Sequence, residues 1–514
     1  MKIAIFDIGT NSIHMLVVEV REDLSFKILG HEKDTTRLGD GSFETKMLSA
    51  FSMQRAFEVI ERFYKIAQRS QIKRMVAVAT SAVREARNGG EFVDAIAKKT
   101  GMKVQVITGE EEGRLIFLGA KSSVETDSEN ALVIDIGGGS AELILGNDKG
   151  ILFLESFKLG VARLTDHFIH RDPPSKNEIR ELENHIRHEL QKAIKKIKKI
   201  GFSKVIGTAG TMINLASMAH VESESAPLRL VNHYEFKKRD LEKVCKKITR
   251  ADLEERFHIP GLDPKRADII VAGGVLVSRI VKMLGINQIT LSDKAIREGI
   301  IIDYIEKNKK RFKAGDEKLS IRERSVLQLA RRCSYDEKHA VQVARLALDF
   351  FDKTKPLHRL GDNERELLKF ASLLHDIGYY VSFQKHHRHS YYLIVNSDLD
   401  GFTPQEVEIV GAVARYHRKQ LPKKEDEHWA RVGEDGEKTV KVLSAILRIA
   451  DGLDRTHFAV VKSISCKLGR KRVKIIVYAK DDAELEMWQA RQRADLFKVV
   501  FKREVVIELG KKRR

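Results

Sequence analysis

The sequence predicts two related α/β halves, an all-α module behind them, and a small α/β cap at the end. Three observations predict this. An apolar strand ending in Asp and a Gly/Ser/Thr loop occurs twice, as Ile5-Phe6-Asp7-Ile8-Gly9-Thr10-Asn11-Ser12 and as Ile134-Asp135-Ile136-Gly137-Gly138-Gly139-Ser140. Strand signals vanish between 320 and about 458. They return at about 460.

With Asp7 aligned on Asp135, no gap is needed: Gly9 falls on Gly137, Ser12 on Ser140 and Leu16 on Ile144. Each copy reads as a β-hairpin with an acid at the end of its first strand. The glycines let backbone N–H groups approach an anion, and the acid can hold a metal or orient a water. Around the first copy, residues 1–122 read as three strands, then helices opening near Ser49, Gly89 and Glu110, with strands at Met75–Ala79 and Val104–Ile107. Residues 123–306 restart the pattern. A strand follows at Ile151–Lys158, a long charged helix at Ser175–Ile200, and a third Gly/Thr turn at Gly207–Thr211. The charged stretch Lys307–Lys318 reads as a linker. Residues 316–459 have helical period, with turns expected at Pro356, Gly361, Gly401 and Pro422. Residues 460–514 return to strands at Val461–Cys466, Val473–Tyr478 and Val505–Leu509, with one helix expected over Asp482–Phe497.

At 514 residues the chain is too long for one domain. No apolar run is long enough for a membrane helix, and no signal-peptide pattern precedes the first strand, so a cytoplasmic protein is expected. Cys245, Cys333 and Cys466 are scattered and suggest neither a disulfide framework nor a cysteine-bound metal. The net charge is +19, which attracts polyanions. Basic clusters lie at Lys192–Lys199, Lys307–Lys313, Lys419–Lys424, Lys467–Lys474 and Lys511–Arg514. Each by itself reads as a solvated helix face. Their total leaves nucleic acid, a nucleotide or an inorganic polyanion open as partner.

Four segments narrow the reading: Phe6–Ser12, Thr80-Ser81-Ala82-Val83-Arg84-Glu85-Ala86, Ile107-Thr108-Gly109-Glu110-Glu111-Glu112-Gly113-Arg114-Leu115-Ile116-Phe117, and Val133–Leu143. The doubled Asp-Gly hairpin resembles the actin, sugar kinase and Hsp70 (ASKHA, ribonuclease H-like) superfamily. The four segments in order resemble the exopolyphosphatase/guanosine pentaphosphate phosphohydrolase (Ppx/GppA) family, in its long form. The resemblance implies release of orthophosphate from a terminal phosphoanhydride. It assigns Glu112 as general base, although Gly113 stands where many members have alanine. Glu142 becomes the helper that orients water or holds a metal. Asp7 and Asp135 become ligands of Mg²⁺, with Mn²⁺ as the alternative. The loops Gly9, Thr10, Asn11, Ser12 and Gly137, Gly138, Gly139, Ser140 would cradle phosphates, with Arg84 and Arg266 as guanidinium contacts.

Other residues have plainer readings. Glu110 and Glu111 suit a helix N-terminus, and Glu110 is read so. Arg114 reads equally as an ion-pair partner or a functional cation. Asp293 and Arg297 read as structural, and His14 as a strand-face histidine. A sugar or acetate kinase is the alternative within the superfamily, but the Glu112 context suits attack by water.

The helical module carries His339, the pair His375-Asp376, and Asp451, in an order that resembles the HD phosphohydrolase superfamily. Two imidazoles and two carboxylates can enclose a divalent ion. His389 and His417 are candidates for a second ion, and His386 and His387 leave the register open. The module in the Ppx/GppA family is often degenerate, so a purely structural His/Asp network, a lengthened basic channel, or metal-dependent nucleotide hydrolysis all stay open. The expected substrate is inorganic polyphosphate, with guanosine pentaphosphate as the runner-up. A polyphosphate or alarmone sensor without turnover is the reading from another class. A homodimer is implied by the resemblance alone.

Overall fold

The computed structural model describes residues 1–21, 26–70, 72, 74–124, 129–228, 230–308, 319–418 and 429–510. The chain divides into two compact units, 1–317 and 318–514. Beyond Asn308, the expected linker lies outside the described residues, as do the basic clusters at 419–424 and 511–514.

The first unit holds two sheets. One consists of β1 (Lys2–Ile8), β2 (Ile13–Val20), β3 (Phe26–Asp34), β4 (Arg74–Ala79) and β5 (Val104–Val106), in the order β3-β2-β1-β4-β5. The other consists of β6 (Ala131–Ile136), β7 (Ala141–Asn147), β8 (Gly150–Phe157), β9 (Lys204–Thr208), β10 (Glu235–Lys237) and β11 (Gln288–Leu291), in the order β10-β11-β9-β6-β7-β8. In both, three antiparallel strands lead and two parallel strands follow. Among the described residues, only β10 is added in the second. The halves are duplicates in topology as well as in motif, and the unit has the actin-like α/β fold.

Alternation along β1 explains its layers, because successive side chains of a strand leave on opposite faces. Ala4, Phe6 and Ile8 pack with Ala56, Val59, Phe63, Phe92 and Ile96 of the helices Ala50–Arg69 and Gly89–Thr100. Ile3 and Ile5 face the other way, onto Leu115, Ile300 and Tyr304. Leu115 belongs to the helix Gly109–Lys121, whose neighbouring Ile116 and Phe117 pack on Val133 and Ile144 of the second sheet. One helix therefore serves both sheets, with Glu112 in its first turn. It crosses the helix Ile296–Lys307 at glycines. A Cβ on Gly119 would lie 1.9 Å from the Ala295 carbonyl oxygen, and one on Gly299 would lie 1.8 Å from that of Leu115.

The helix openings follow sequence capping. Ser49, Thr108 and Ser175 each accept the backbone N–H of the third residue of their helix. Two short helices, Ser42–Thr45 and Ser81–Glu85, were outside the expected pattern, being too short to show a period.

Among the described residues, the second unit begins with the helices Ile321–Arg332, Glu337–His358, Asp362–Leu374, His386–Val395, Pro404–Arg415 and Trp429–Gly452, the last broken by a kink at Gly433 with φ 73°. Pro356 does not make the expected turn. It sits in the last turn of its helix, which it costs one backbone N–H, and the chain reverses at Arg359 with φ 58°. The expected turn at Pro422 lies outside the described residues. The cap is a sheet of β12 (Val461–Leu468), β13 (Arg472–Ala479) and β14 (Glu504–Leu509). Its single expected helix is two, Glu484–Gln492 and Asp495–Phe501, with Arg493 at the break. Among the described residues, no helix is long and apolar enough to cross a membrane.

Candidate active site

The two repeated loops fold alike. Gly9 N–H donates to the Ser12 carbonyl at 3.1 Å, and Gly137 N–H to the Ser140 carbonyl at 3.0 Å. The loops face each other within the first unit. A Cβ on Gly138 would stand 3.2 Å from Cβ of both Thr10 and Asn11, and one on Gly139 would stand 2.7 Å from Thr10 Oγ1 and 2.6 Å from Ser81 Oγ. Close approach, rather than a turn angle, is what requires glycine there. The N–H groups of Thr10, Asn11, Gly138 and Gly139 meet no backbone carbonyl among the described residues.

Four carboxyls converge behind these loops, coupled through their fields. Asp7 lies opposite His14 on β2, and Asp135 opposite Glu142 on β7. The duplication thus places a histidine in one half where the other has an acid. Thr208 Oγ1 donates to Asp135 at 2.5 Å, and Ser156 Oγ donates to Glu142 at 2.7 Å. Glu112 is 8% exposed and pairs with Arg84, whose Nη1 lies 3.0 Å from Oε2. Arg84 also donates to the Ile107 carbonyl at 2.8 Å, tying it to the strand-to-helix turn that presents Glu112.

Burial raises all four acids, because each would be charged away from water. It lifts Glu112 to about 7; Arg84 opposes this, while Asp7 and Asp135 add to it. Burial lifts Asp7 to about 6 against the pull of Arg297, and Asp135 to about 6 against its Thr208 hydrogen bond and Arg297. Glu142 goes well above the usual range through burial and the charges of Glu112 and Asp135.

Arg297, read from sequence as structural, stands close enough to the acids for its charge to act on them. It opens the helix Ile296–Lys307, and its charge acts on both Asp7 and Asp135. Its Nη1 also lies 3.2 Å from His14 Nδ1 and 3.0 Å from His31 Nε2. The signal was its place in the stretch Ser292–Gly299, read as structural. His14 stacks on His31 and is driven down to about 2 by burial and Arg297, so it is a neutral strand-face ring. Arg114 is an ion-pair partner, bound by Glu111 at 2.7 Å and Asp303 at 2.8 Å. Arg266 lies over the third turn, where a Cβ on Gly210 would meet its guanidinium at 2.2 Å. Two further ion pairs join the halves beside the loops: Arg37–Asp268 and Arg163–Glu85, both at 2.6 Å.

No three His, Cys, Asp or Glu side chains of this cleft bring ligand atoms within 4.8 Å of one another among the described residues. Hard oxygen donors in surplus still fit a Mg²⁺ held by one or two carboxylates plus substrate phosphates and water.

The second unit does gather such donors. His339, His375, Asp376 and Asp451 come together from two helices, Glu337–His358 and Trp429–Gly452, and the turn after Asp362–Leu374: His339 Nε2 lies 3.8 Å from Asp376 and 3.7 Å from Asp451. His417 joins them at 3.5 Å from Asp376, and His386 at 3.1 Å. His386, rather than His389, takes the extra position; the chain enters its helix at Lys385 with φ 58°, which sets the register that sequence left open. Asp451 is already engaged, by Arg493 of the cap.

Comparison with known proteins finds one family along most of the chain. The model of the Ppx/GppA phosphatase family matches residues 16–308, and that of Ppx/GppA phosphatase, domain III, matches residues 321–491. A crystal structure of an exopolyphosphatase from Cytophaga hutchinsonii ATCC 33406 is 30% identical, covers 61% of this chain and 100% of its own, and has a TM-score of 0.57. A family member from Aquifex aeolicus is 26% identical over 60% of this chain and 98% of its own, with a TM-score of 0.52. The chain belongs to the Ppx/GppA phosphatase family.

Proposed function

We propose that the protein releases orthophosphate from the end of inorganic polyphosphate, with Glu112 as the base. The observation that carries this is Glu112 itself: a buried carboxyl beside two facing anion-sized loops, tied to Arg84 and raised to about 7. A base matched to neutral pH suits proton removal from an attacking water. The net charge of +19 favours a long polyanion.

In the proposed step, the N–H groups of Gly9–Ser12 and Gly137–Ser140 hold the terminal phosphates, and Arg84 and Arg266 neutralise their oxygens. Water attacks the terminal phosphorus, Glu112 takes its proton, and the bridging P–O bond breaks. The chain, shorter by one phosphate, leaves as the anion. Glu142, whose burial favours its protonated form, orients the water. Asp7 and Asp135 would hold Mg²⁺, which supplies charge neutralisation on the phosphoryl oxygens when bound.

The test is phosphate release from long-chain polyphosphate and from guanosine pentaphosphate with Mg²⁺, for wild type and Glu112→Gln. Release from polyphosphate that falls by about 10²–10⁴ in the variant is expected. Release from the nucleotide alone would replace the substrate. Activity surviving in Glu112→Gln would remove Glu112 from the chemistry, and absence of turnover on both would leave a sensor.

A further inference from the structure

Both repeated loops are held from behind by their carbonyls. In the first, the Thr10 carbonyl accepts from Gly39 N–H and the Asn11 carbonyl from Arg37 N–H, both at 2.9 Å. In the second, the Gly137 carbonyl accepts from Val161 N–H at 3.0 Å and the Gly138 carbonyl from Ala162 N–H at 2.9 Å. The Gly139 carbonyl accepts from Arg163 Nε at 3.1 Å. The N–H and C=O of a trans peptide point opposite ways. Fixing these carbonyls on the helix Val161–Phe168 therefore turns the N–H groups of Gly138, Gly139 and Ser140 away from it, the direction an anion-binding loop needs. The chain that opens this helix lies against the loop at backbone distance. A Cβ on Gly160 would lie 2.3 Å from the Gly138 carbonyl oxygen and 2.2 Å from the Gly139 carbonyl carbon.

Two of these three carbonyls in the second loop are held by main chain, which almost any sequence offers. The third depends on one side chain, and that side chain also crosses to the other half. Arg163 Nη2 lies 2.6 Å from Glu85 Oε1, and its Cζ stands 3.9 Å from the centre of the Phe43 ring. Glu85 closes the short helix Ser81–Glu85, next to Arg84, and accepts from Ser81 Oγ at 3.0 Å. Phe43 follows the stretch Arg37–Gly39 that holds the first loop. The side chains of Arg163 and Glu85 are 13% and 15% exposed, so this charge-assisted bond lies largely out of water. Lys158 also approaches Glu85, at 3.3 Å, but it is 72% exposed. A guanidinium is a fork with donors in several directions, which suits a carbonyl on one side and a carboxylate on the other. A lysine ammonium is a point charge on a flexible stem.

We infer that Arg163 is a positioning residue for phosphate binding: it fixes the Gly139–Ser140 peptide and holds the second loop at gripping distance from the first. This role rests on the reading that the two loops hold the terminal phosphates of the substrate, and not on the identity of the base. Arg163 acts through the loop. Without it the peptide after Gly139 is free to turn, because glycine tolerates either sign of φ. The halves also lose a link beside the site, and a phosphate chain binds less tightly. Arg84 keeps its own bonds, to Glu112 at 3.0 Å and to the Ile107 carbonyl at 2.8 Å. The ionisation of Glu112 answers to its burial and to Arg84, Asp7 and Asp135, so removing Arg163 leaves it in place.

The test combines kinetics and binding on the full chain. With long-chain polyphosphate and Mg²⁺, Arg163→Ala should raise KM about tenfold to a hundredfold, as for one lost charge-assisted bond, and move kcat less than about threefold. The neutral-pH limb of kcat/KM should keep its position. Arg163→Lys, which reaches one partner at a time, should fall between Arg163→Ala and wild type. Glu85→Gln should also raise KM, and the double variant Arg163→Ala/Glu85→Gln should bind no worse than Arg163→Ala, because the two residues act as one link. If circular dichroism shows that Arg163→Ala fails to fold, Arg163→Lys and Glu85→Gln carry the comparison. Calorimetric titration with tripolyphosphate, in the Glu112→Gln background, reads the same loss without turnover. Tripolyphosphate binding that weakens in Arg163→Ala, in a protein that turns over no polyphosphate, would remove the activity and keep the role of Arg163. An unchanged KM beside normal turnover would overturn that role and keep the activity. A fall in kcat alone, in step with the folded fraction, would make Arg163 a structural ion pair and overturn it too. Absence of both turnover and tripolyphosphate binding would overturn the role together with the reading it rests on.

Discussion

Replacing Glu112 by Gln should make the protein more stable at high pH as it inactivates it. The ordinary value of this carboxyl is 4.5, and in the fold it rises to about 7. An acid with a raised value helps the fold while protonated. That contribution is complete below 4.5 and is lost as pH climbs through about 7. Ionising Glu112 in the fold then costs about 1 kcal/mol at pH 5 and about 3 kcal/mol at pH 8. Gln carries no such cost and still accepts from Arg84. Any pH-independent effect of the substitution cancels when the two pH values are compared. The stability gap between variant and wild type should therefore widen by about 2 kcal/mol from pH 5 to pH 8. The assay is calorimetry with chelator present, because a bound cation would lower the acids. Both tryptophans, Trp429 and Trp488, lie in the second unit, so tryptophan fluorescence serves as an internal control. The widening belongs in the heat-capacity transition of residues 1–317 and not in the fluorescence transition. A gap unchanged between pH 5 and pH 8 would refute the raised Glu112 and reduce it to an ordinary ion pair.

Three further outcomes follow from the same geometry. The kcat/KM profile should rise through about 7, and in Arg84→Gln the limb should move up, because Arg84 pulls Glu112 down; a limb that moves down would contradict the pairing. Arg297→Gln removes the cation that lowers both Asp7 and Asp135, so it should raise the Mg²⁺ concentration for half-maximal activity at pH 6 more than at pH 8, read from metal titrations of the rate. Gly139→Ala places a Cβ 2.6 Å from Ser81 Oγ and 2.8 Å from the Phe43 ring, which should cost about 1–3 kcal/mol and lower kcat/KM about tenfold to a hundredfold while the cap and helices melt unchanged.

The duplication was legible because it is local. An apolar run, an acid and a glycine loop are contiguous, and their offset of one copy on the other needs no gap. The same holds for the helix openings at Ser49, Thr108 and Ser175, where a hydroxyl meets the N–H groups of its own next turn. Glu112, Asp7 and Asp135 were readable as candidates for that reason, each lying inside such a motif.

What joins them was not legible. Arg297 acts on Asp7 from 290 positions away, and the crossing of its helix, through Gly299, against Gly119 of the Glu112 helix brings it there. The raised acids, too, are products of burial among one another, which no single motif states. In the helical unit, sequence supplied four histidines, His386, His387, His389 and His417, and pointed to His389 and His417, where the structure brings His386 and His417 to Asp376. A helix turns about 100° per residue, so a change of register moves a ring to another face. Tertiary packing made the choice: it aimed Nε2 of His386 and His417 at one oxygen of Asp376, His339 and His375 at the other, and set Arg493 on Asp451. The sequence by itself determined the elements and the chemistry of their loops; the distances between those loops, and hence the charge each acid feels, were decided by how the halves and helices pack.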